Sequence, residues 1–440
     1  MISFVSTFPP ILCGIGTYTR YLTSHMPPDR WNVISFRLDE LSRCEDRLQG
    51  KDPQVDFFIS LEHPSLPPLL RGDLLWFQHS FGMWGRVNTH FIKLIGEAKE
   101  RGKKVAASFH TIHFQSPETH WGMDRKEWEL LVEALPLLDL VTVFTLGAYR
   151  AVVDAFPQYR EKVIVLRHGV HRYPKVAKEE ARQRLLNYLV DHSHIPKRQK
   201  AELKGISASL FSKETVLLGN YGFITRDKDP LRLYEVGRLV QERLPGHRVV
   251  TIFAGKIQER KDRNREASLP VLESLRAVHD GKQNLFFEDY IPESILPFAF
   301  RALDFAVFWC HNATQSGRMA HAQGTGVTVV GRKWEGVGET LELAGLPALE
   351  TADELAQVIA EIVREPALAE QMEKSNARYA DRYSFARQAE KHLLYEEALE
   401  AGMRIAAPVP RRMDDFRAGE IGPGRSRRPG ESRPGGRIHT

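Results

Sequence analysis

The chain has 440 residues, of which 42% are hydrophobic and 27% are charged. Such a composition is typical of a globular protein, and no apolar run is long enough to span a bilayer. The length exceeds what one hydrophobic core usually organises, so we expect two domains. The net charge of +5 is uneven, because residues 411–440 hold eight Arg against four acidic residues and leave about +1 for the rest.

Residues 407–440 are rich in Gly, Pro and Arg and are predicted to be a disordered tail. A basic tail could touch an anionic membrane peripherally, but a solvated extension is the simpler interpretation, and no specific nucleic-acid partner is expected. The N-terminus predicts a strand rather than a signal peptide. Three cysteines without metal-ligand spacing favour a reducing, cytoplasmic location: Cys13, Cys44 and Cys310.

The first half of the chain alternates short apolar runs with helical patterns. Residues 2–6 predict a first strand, and Thr17–Met26 predicts the helix that follows it. Gly14 and Gly16 precede this helix, where they would let the backbone approach a ligand closely, although a lone glycine pair is weak evidence. Further strands are predicted at Val33–Phe36, Val55–Ser60, Leu74–Gln78, Val105–Phe109, Leu140–Thr145 and Val163–Leu166, and helices at Thr89–Arg101 and Lys126–Leu137.

This alternation favours a mostly parallel sheet covered by helices on both faces. The ligands of such sheets gather at the carboxyl ends of the strands, where His79, His110 and His168 fall. One histidine at a strand end is usually a structural residue. Three on one sheet modestly favour a polar cleft.

A second α/β series follows a charged, helix-prone connection at Tyr173–Lys213. Its first strand, Val216–Tyr221, leads to a loop that carries Arg226 and Lys228, and the helix Leu231–Arg243 comes next. Two cations between a strand and a helix could hold a diphosphate. A solvated charged turn is the alternative.

The central segment of the second series is a strand, loop, helix and strand. Phe305–Trp309 predicts a buried strand, Ser316 the N-cap of a helix over Gly317–Gln323, and Gly324 the end of that helix. The free N–H groups of a helix start attract anions, although most loops of this kind are only connections. Val327–Val330 predicts the next strand.

A glycine loop, Glu335–Glu339, is predicted before a helix at Thr340–Ala344. Helices at Ala352–Arg364 and Pro366–Asp381 complete the second series, and the last helix, Phe385–Met403, is expected to pack back across both domains. The predicted divisions are an N-terminal domain (1–173), a connection with a helical insertion (174–213), a C-terminal domain (214–384), a returning helix (385–406) and the tail (407–440).

Six stretches occur in an order that resembles the retaining glycosyltransferase family 4: STFPPILCGIGTYTRYL, WFQHSFGMWG, SFHTIHF, VIVLRHGV, YGFITRDKDPLRLYEV and AQGTGVTVVG. The resemblance covers residues 1 to about 400. It implies an α/β protein with two Rossmann-like, doubly wound parallel-sheet domains facing a central cleft, the GT-B fold. It also implies a hexosyltransferase that moves a sugar from a nucleotide-sugar donor, UDP- or GDP-linked, to an acceptor hydroxyl with retention of the anomeric configuration.

One departure from the family is clear. Members commonly carry a glutamate pair, E-x7-E, that touches the donor, and here His311 and Met319 stand at those positions. Gln315, Ser316 and Gly317 instead resemble a subset of the family that binds the donor through backbone amides and a Ser-Gly pair.

The resemblance assigns roles to individual residues. Arg226 and Lys228, with the helix start at Ser316, would neutralise the leaving diphosphate, and His110 would face the donor as a hydrogen-bond donor. No metal or other cofactor is expected, since a cation separates Asp227 from Asp229. Other expected donor-site residues are Gly14, Gly16, Gln315 and Gly317, and further cleft candidates are His79, His168, His311 and Glu339.

Two alternatives remain open. The lost glutamates favour a degenerate GT-B protein that binds a sugar nucleotide or a partner without catalysis. A GT-B disaccharide phosphorylase would use the same cationic pocket for inorganic phosphate. The acceptor, whether glycan, lipid or small metabolite, is not specified by the sequence.

Overall fold

The computed structural model describes residues 1–41, 53–84, 88–257 and 263–403. The predicted tail at 407–440 and Cys44 lie outside this part of the chain. The first domain contains seven strands, β1 (Ile2–Val5), β2 (Trp31–Phe36), β3 (Val55–Ile59), β4 (Leu74–His79), β5 (Lys104–Phe109), β6 (Leu140–Val143) and β7 (Val163–Val165). The helices of this half are α1 (Gly14–Thr23), α2 (Thr89–Glu100), α3 (Arg125–Ala134) and α4 (Leu146–Ala155).

The second domain repeats this plan. Its strands are β8 (Thr215–Tyr221), β9 (Arg248–Ala254), β10 (Asn284–Phe287), β11 (Phe305–Phe308), β12 (Thr328–Arg332) and β13 (Ala348–Leu349). Its helices are α5 (Lys178–Asn187), α6 (Lys197–Leu210), α7 (Arg232–Arg243), α8 (Arg263–Val278), α9 (Leu296–Ala302), α10 (Gly317–Thr325), α11 (Glu335–Ala344), α12 (Ala352–Arg364) and α13 (Pro366–Arg382), and the chain continues into α14 (Phe385–Glu400).

Both sheets are parallel, and both reverse their strand order near the middle. The first has the order β3-β2-β1-β4-β5-β6-β7 and the second the order β10-β9-β8-β11-β12-β13. The chain therefore winds outward in both directions from β1/β4 and from β8/β11, and ligands of such sheets bind outside the carboxyl ends of the strands at these switch points. The predicted fold class, two doubly wound parallel-sheet domains, is confirmed.

The strands form where short apolar runs are buried on both faces. Every residue of β1, β2, β4 and β6 is buried. Strand β3, at the edge of the first sheet, instead alternates between half-buried and exposed positions before its buried last residue, Ile59. This pattern explains why the strand predictions succeeded, since covered parallel strands have nearly continuous apolar sequences. The two-residue edge strand β13 was not predicted.

Two helical segments extend the domains beyond their sheets. In the predicted connection, Leu185 of α5 and Leu203 of α6 share a core with Leu217 of β8. Helix α14 returns to the first domain, where Phe385 and Leu399 join its core. Among the described helices, none is both long and apolar enough to cross a membrane.

Three predicted helix boundaries were wrong for local reasons. Helix α1 starts at Gly14, so Gly14 and Gly16 lie inside its first turn rather than before it. Helix α10 runs to Thr325 and stops at Gly326, whose φ of 77° suits glycine at a helix end. The predicted stop, Gly324, is helical and packs so closely that an added Cβ would lie 2.3 Å from the carbonyl oxygen of His171. The predicted glycine loop is the first turn of α11.

Candidate functional site

Two adjoining cavities lie between the domains. The first, of about 520 Å³, lies beyond the ends of β8 and β11. The second, of about 370 Å³, lies between α1 and the start of α9. Seven residues line both cavities: Phe81, His110, Phe223, Lys228, Gln315, Ser316 and Arg318. These residues define the junction of the two cavities, which is at the switch-point end of the second sheet.

Two cations, Lys228 and Arg318, lie against a pair of aromatic rings at the junction. The rings of Phe223 and Tyr290 stack with their centroids 5.2 Å apart. Lys228 Nζ is 6.0 Å from the Phe223 centroid, and Arg318 Cζ is 5.1 Å from the Tyr290 centroid. Cation–π attraction of this kind positions a charge without neutralising it.

The positive charge at the junction is poorly compensated. Both terminal nitrogens of Arg318 are buried without a hydrogen-bond partner in the described part of the protein. The Lys228 side chain is exposed and lines both cavities. Desolvation, followed by the charge of Arg318, lowers the pKa of Lys228 to about 8. Because it is costly to bury the unpaired nitrogens of a cation, as at Arg318, this arrangement fits an anionic ligand.

The start of α10 adds a third source of positive potential. Ser316 caps the helix by accepting a hydrogen bond from the Met319 N–H at 3.3 Å, as its N-cap role predicts. Gly317 follows it on the wall of the second cavity. The side-chain oxygen of Gln315 is buried without a partner among the described residues. Backbone N–H groups at a helix start carry partial positive charge and bind anions.

His110 forms the opposite wall of the junction. Its Nε2 lies 2.7 Å from Oε1 of Gln78, and an amide oxygen can only accept, so Nε2 carries the proton. Burial, followed by the charges of His168 and His79, holds the pKa of His110 well below its ordinary value. The free atom, Nδ1, has no partner within the described residues and is an acceptor rather than the predicted donor.

The other residues of the predicted phosphate site are separated by the fold. Arg226 belongs to the same turn as Lys228, but its side chain is exposed and lines neither cavity. Gly14 lines the second cavity. Gly16 does not, because it faces the Thr7 backbone, where a Cβ would make contacts of 3.1 Å.

Among the four cleft candidates, His168 alone lines one of the two cavities. His168 is on the wall of the second cavity, and burial lowers its pKa to about 4. His79 is instead enclosed by Phe81, Phe91 and Phe109, since its strand end points into the first core.

His311 and Glu339 occupy structural positions outside the two cavities. His311 Nε2 lies 2.8 Å from Asp229 Oδ2 on the exposed side of the turn. Glu339 accepts hydrogen bonds from the N–H groups of Leu146 at 2.7 Å and Gly147 at 2.8 Å, and pairs with Arg167 at 2.6 Å. A carboxylate at the start of α4 joins the domains rather than binding a ligand.

One group of three side chains in the described part of the protein has atoms close enough to hold a metal ion. His113, Asp124 and Glu127 place their ligand atoms within 4.8 Å of one another. Burial alone would lower the pKa of His113, but its hydrogen bond and charge interaction with Glu127, and the charges of Glu335 and Asp124, raise it to about 9. A protonated imidazole already balances these carboxylates, so the group is a charge cluster rather than a preformed metal site.

Comparison with known proteins gives fold-level relatives only. No protein-family model matches the chain, and no curated protein does. Among solved structures, trehalose-6-phosphate synthase OtsA has a TM-score of 0.64 at 13% identity, with 90% of this chain and 98% of that chain covered. A UDP-forming α,α-trehalose-phosphate synthase from Burkholderia xenovorans, in complex with glucose-6-phosphate, has a TM-score of 0.64 at 11% identity, covering 90% and 99%.

HepE from Anabaena, in complex with UDP, has a TM-score of 0.58 at 14% identity, covering 91% of this chain and 99% of that chain. These two-domain structures match almost the whole chain. The protein has the GT-B fold. In GT-B terms, the two cavities form the cleft between its Rossmann-like domains.

Sequence reasoning missed Arg318, which reaches the GT-B cleft from the second position of α10. One signal could have indicated it. A cation in the first turn of a helix interacts unfavourably with the helix dipole. Such a residue is therefore informative when the same helix start is already a candidate anion site.

Proposed function

We propose that the protein is a retaining glycosyltransferase that transfers a sugar from a nucleoside diphosphate to an acceptor hydroxyl. The observation that carries this proposal is the convergence of Lys228, Arg318 and the α10 start in a GT-B cleft. Two GT-B neighbours support a nucleotide donor, since HepE was solved with UDP and another structure with UDP-2-fluoro glucose. Membership of family 4 is part of the proposal and rests on the ordered sequence stretches.

In the proposed reaction, the bond between the anomeric carbon and the diphosphate oxygen breaks. A bond from that carbon to the acceptor oxygen forms on the same face of the sugar. The acceptor hydroxyl proton leaves with the diphosphate, so the products are a glycoside and a protonated nucleoside diphosphate. Negative charge grows on the leaving oxygen, where Lys228, Arg318 and the amides of α10 would stabilise it.

The two cavities suggest how the substrates divide the cleft. The first cavity would take the nucleoside, the junction its diphosphate, and the second cavity the acceptor. His110 Nδ1, as an acceptor at the junction, would receive a hydrogen bond from a sugar hydroxyl. Contact between the domains would exclude water and limit hydrolysis of the donor.

Metal independence is also part of the proposal. Two protein cations, Lys228 and Arg318, would supply the charge that a divalent ion otherwise brings to a diphosphate. Turnover should therefore be unchanged by EDTA and by added Mg²⁺. A strict requirement for a divalent ion would contradict this assignment.

A non-catalytic nucleotide-binding role is the second candidate, favoured by one observation. Met319 stands where the family carries a glutamate, and it is buried at 2% exposure. Because methionine has no carboxylate, this position supplies none to the donor. Release of UDP from UDP-sugars in the presence of acceptors distinguishes a transferase from such a binding protein.

The proposed site is tested by titrating UDP into the wild-type protein and three variants. Lys228→Ala and Arg318→Ala should each weaken binding by about 1.5–3 kcal/mol, or about tenfold or more, since each removes a charge-assisted hydrogen bond. Arg226→Ala is the matched control, because it removes a cation from the same turn outside both cavities, and we expect little change. Unchanged affinity in Lys228→Ala and Arg318→Ala would contradict the proposal.

A further inference from the structure

The second cavity has few charged groups on its walls. The first domain contributes Tyr18, Tyr21, Phe81 and Met83 among its lining residues, and no described Lys or Arg. Phe385 adds a further aromatic ring at the base. Flat rings of this kind pack against the apolar faces of sugar rings and aglycones.

Three histidines around this cavity are held in the neutral state. Burial lowers the pKa of His168 to about 4 and that of His171 to about 3. The pKa of His321 is well below its ordinary value, through burial and then the charge of His171. The rings of His171 and His321 stack with centroids 4.0 Å apart, an arrangement that two imidazolium ions would oppose.

Two uncharged hydrogen-bonding groups of residues in the cavity wall lack a partner among the described residues. The Tyr18 side chain is buried, with 4% of the residue exposed. Its hydroxyl has no hydrogen-bond partner in the described structure. Nδ1 of His110 is likewise buried and has no partner among the described residues. One hydroxyl and one imidazole nitrogen are suited to hydroxyl groups of a ligand, because each forms neutral hydrogen bonds.

Arg20, next to the lining residue Tyr21, is already neutralised by an ion pair. Arg20 of α1 forms an ion pair with Glu293, and this pair connects the two domains. Glu293 also lines the second cavity, so a phosphate there would meet a carboxylate instead of a free guanidinium. Lys228 and Arg318 are engaged by the donor diphosphate in the proposed function.

We propose that the second cavity binds the acceptor as an uncharged sugar or glycoside and discriminates against sugar phosphates. The inference rests on the proposed function and specifies the acceptor class. It separates this protein from the GT-B neighbour solved with glucose-6-phosphate. The proposal is supported by the neutral hydrogen-bonding groups, the aromatic walls and the paired Arg20.

The test is calorimetric titration of the UDP-saturated protein with matched acceptor probes. These are the α- and β-linked 4-nitrophenyl glycosides of glucose, galactose and mannose, each with its 6-phosphate counterpart. At least one neutral glycoside should bind about tenfold or more tightly than its phosphate, the loss expected when a charged group finds no partner. Tighter or equal binding of the phosphates, or binding of no probe by UDP-saturated protein, would overturn the acceptor assignment alone. Failure to bind UDP would overturn the proposed function and the assignment with it.

Two variants connect the result to named side chains. Glu293→Gln frees Arg20 and should raise the affinity for the 6-phosphates about tenfold, whereas Glu288→Gln, which breaks the exterior ion pair with Arg276, should not. Tyr18→Phe removes only a hydroxyl and should weaken the neutral glycoside about threefold to tenfold with unchanged UDP affinity. No change in glycoside or phosphate affinity in Glu293→Gln and Tyr18→Phe would refute the assignment.

Discussion

At the residue scale, the site depends on charges that their surroundings leave unbalanced. Lys228 is the clearest case, because desolvation brings its pKa down to about 8, into a range that an experiment can reach. Ligand binding at the junction should therefore depend on pH through Lys228.

We expect UDP affinity to fall as the pH rises above about 8, because the free protein then loses the Lys228 proton that the diphosphate needs. The fall should approach tenfold per pH unit, since one pKa unit corresponds to about 1.36 kcal/mol. Titration calorimetry between pH 6.5 and 9.5 measures it. Lys228→Arg should flatten the profile, and a wild-type profile that is already flat would contradict the lowered pKa.

Lys228 and Arg318 also show how much of the site can be predicted from the sequence. Lys228 was found because a strand, a turn and a helix are local in the chain. Arg318 lies 90 positions further on, and it reaches Lys228 only because β8 and β11 are neighbours in the sheet. His79 ends β4 and His110 follows β5, yet His79 is enclosed in the core and His110 lines the cleft. The direction of a side chain at a strand end depends on tertiary packing, which the pattern does not specify.

At the element scale, helix α11 joins the two domains through its first turns. Glu335 accepts hydrogen bonds from the N–H groups of Phe114 and Gln115, each at 3.1 Å. One turn later, Glu339 binds the N–H groups at the start of α4. Both carboxylates accept hydrogen bonds from backbone amides of the first domain, and the resulting contact joins elements of the two domains outside the two cavities.

Glu339→Gln should lower the free energy of unfolding by about 3 kcal/mol, because it removes one partner of a buried ion pair. The Arg167 side chain is 2% exposed and that of Glu339 is 11% exposed. Glu342→Gln is the matched control on the same helix, since it breaks only an exposed pair with Lys333. Urea denaturation of both variants measures the difference, and equal losses would contradict the domain-joining role.

Most elements were predictable because their patterns are local. The buried strands β4 and β5 were assigned from apolar runs alone. Helix boundaries were harder to predict where a glycine can serve more than one structural purpose. Gly324 was predicted to end α10, but its missing Cβ allows the helix to pack on His171, and Gly326 ends the helix instead. Sequence shows a glycine without showing whether it supplies a positive φ or a close contact.

At the scale of the whole molecule, a titratable contact also connects the domains. His113 bonds Glu127 at 2.5 Å within the first domain and contacts Asn312 of the second. Its Nε2 is 3.8 Å from the Glu335 carboxylate. Protonation of His113 therefore supports both the first domain and its contact with the second.

Stability should decline between pH 6.5 and 9. The pKa of His113 is raised from 6.5 to about 9 by folding, so its contribution is complete below 6.5 and is lost as the pH passes through 9. The two pKa values set an upper limit of about 3 kcal/mol on this loss. Thermal denaturation across this range should show a smaller decline in His113→Gln than in His63→Gln, an exposed control. Parallel declines in the two variants would refute the assignment.

The return of α14 to the first domain has a consequence for biosynthesis. Phe385, Ala389 and Leu399 complete a core whose other members include Phe4 and Trp76, near the beginning of the chain. A ribosome translating the second domain has already released the residues of the first, but not the helix that covers them. The apolar surface of the nascent first domain therefore stays open until about residue 400 has emerged from the exit tunnel.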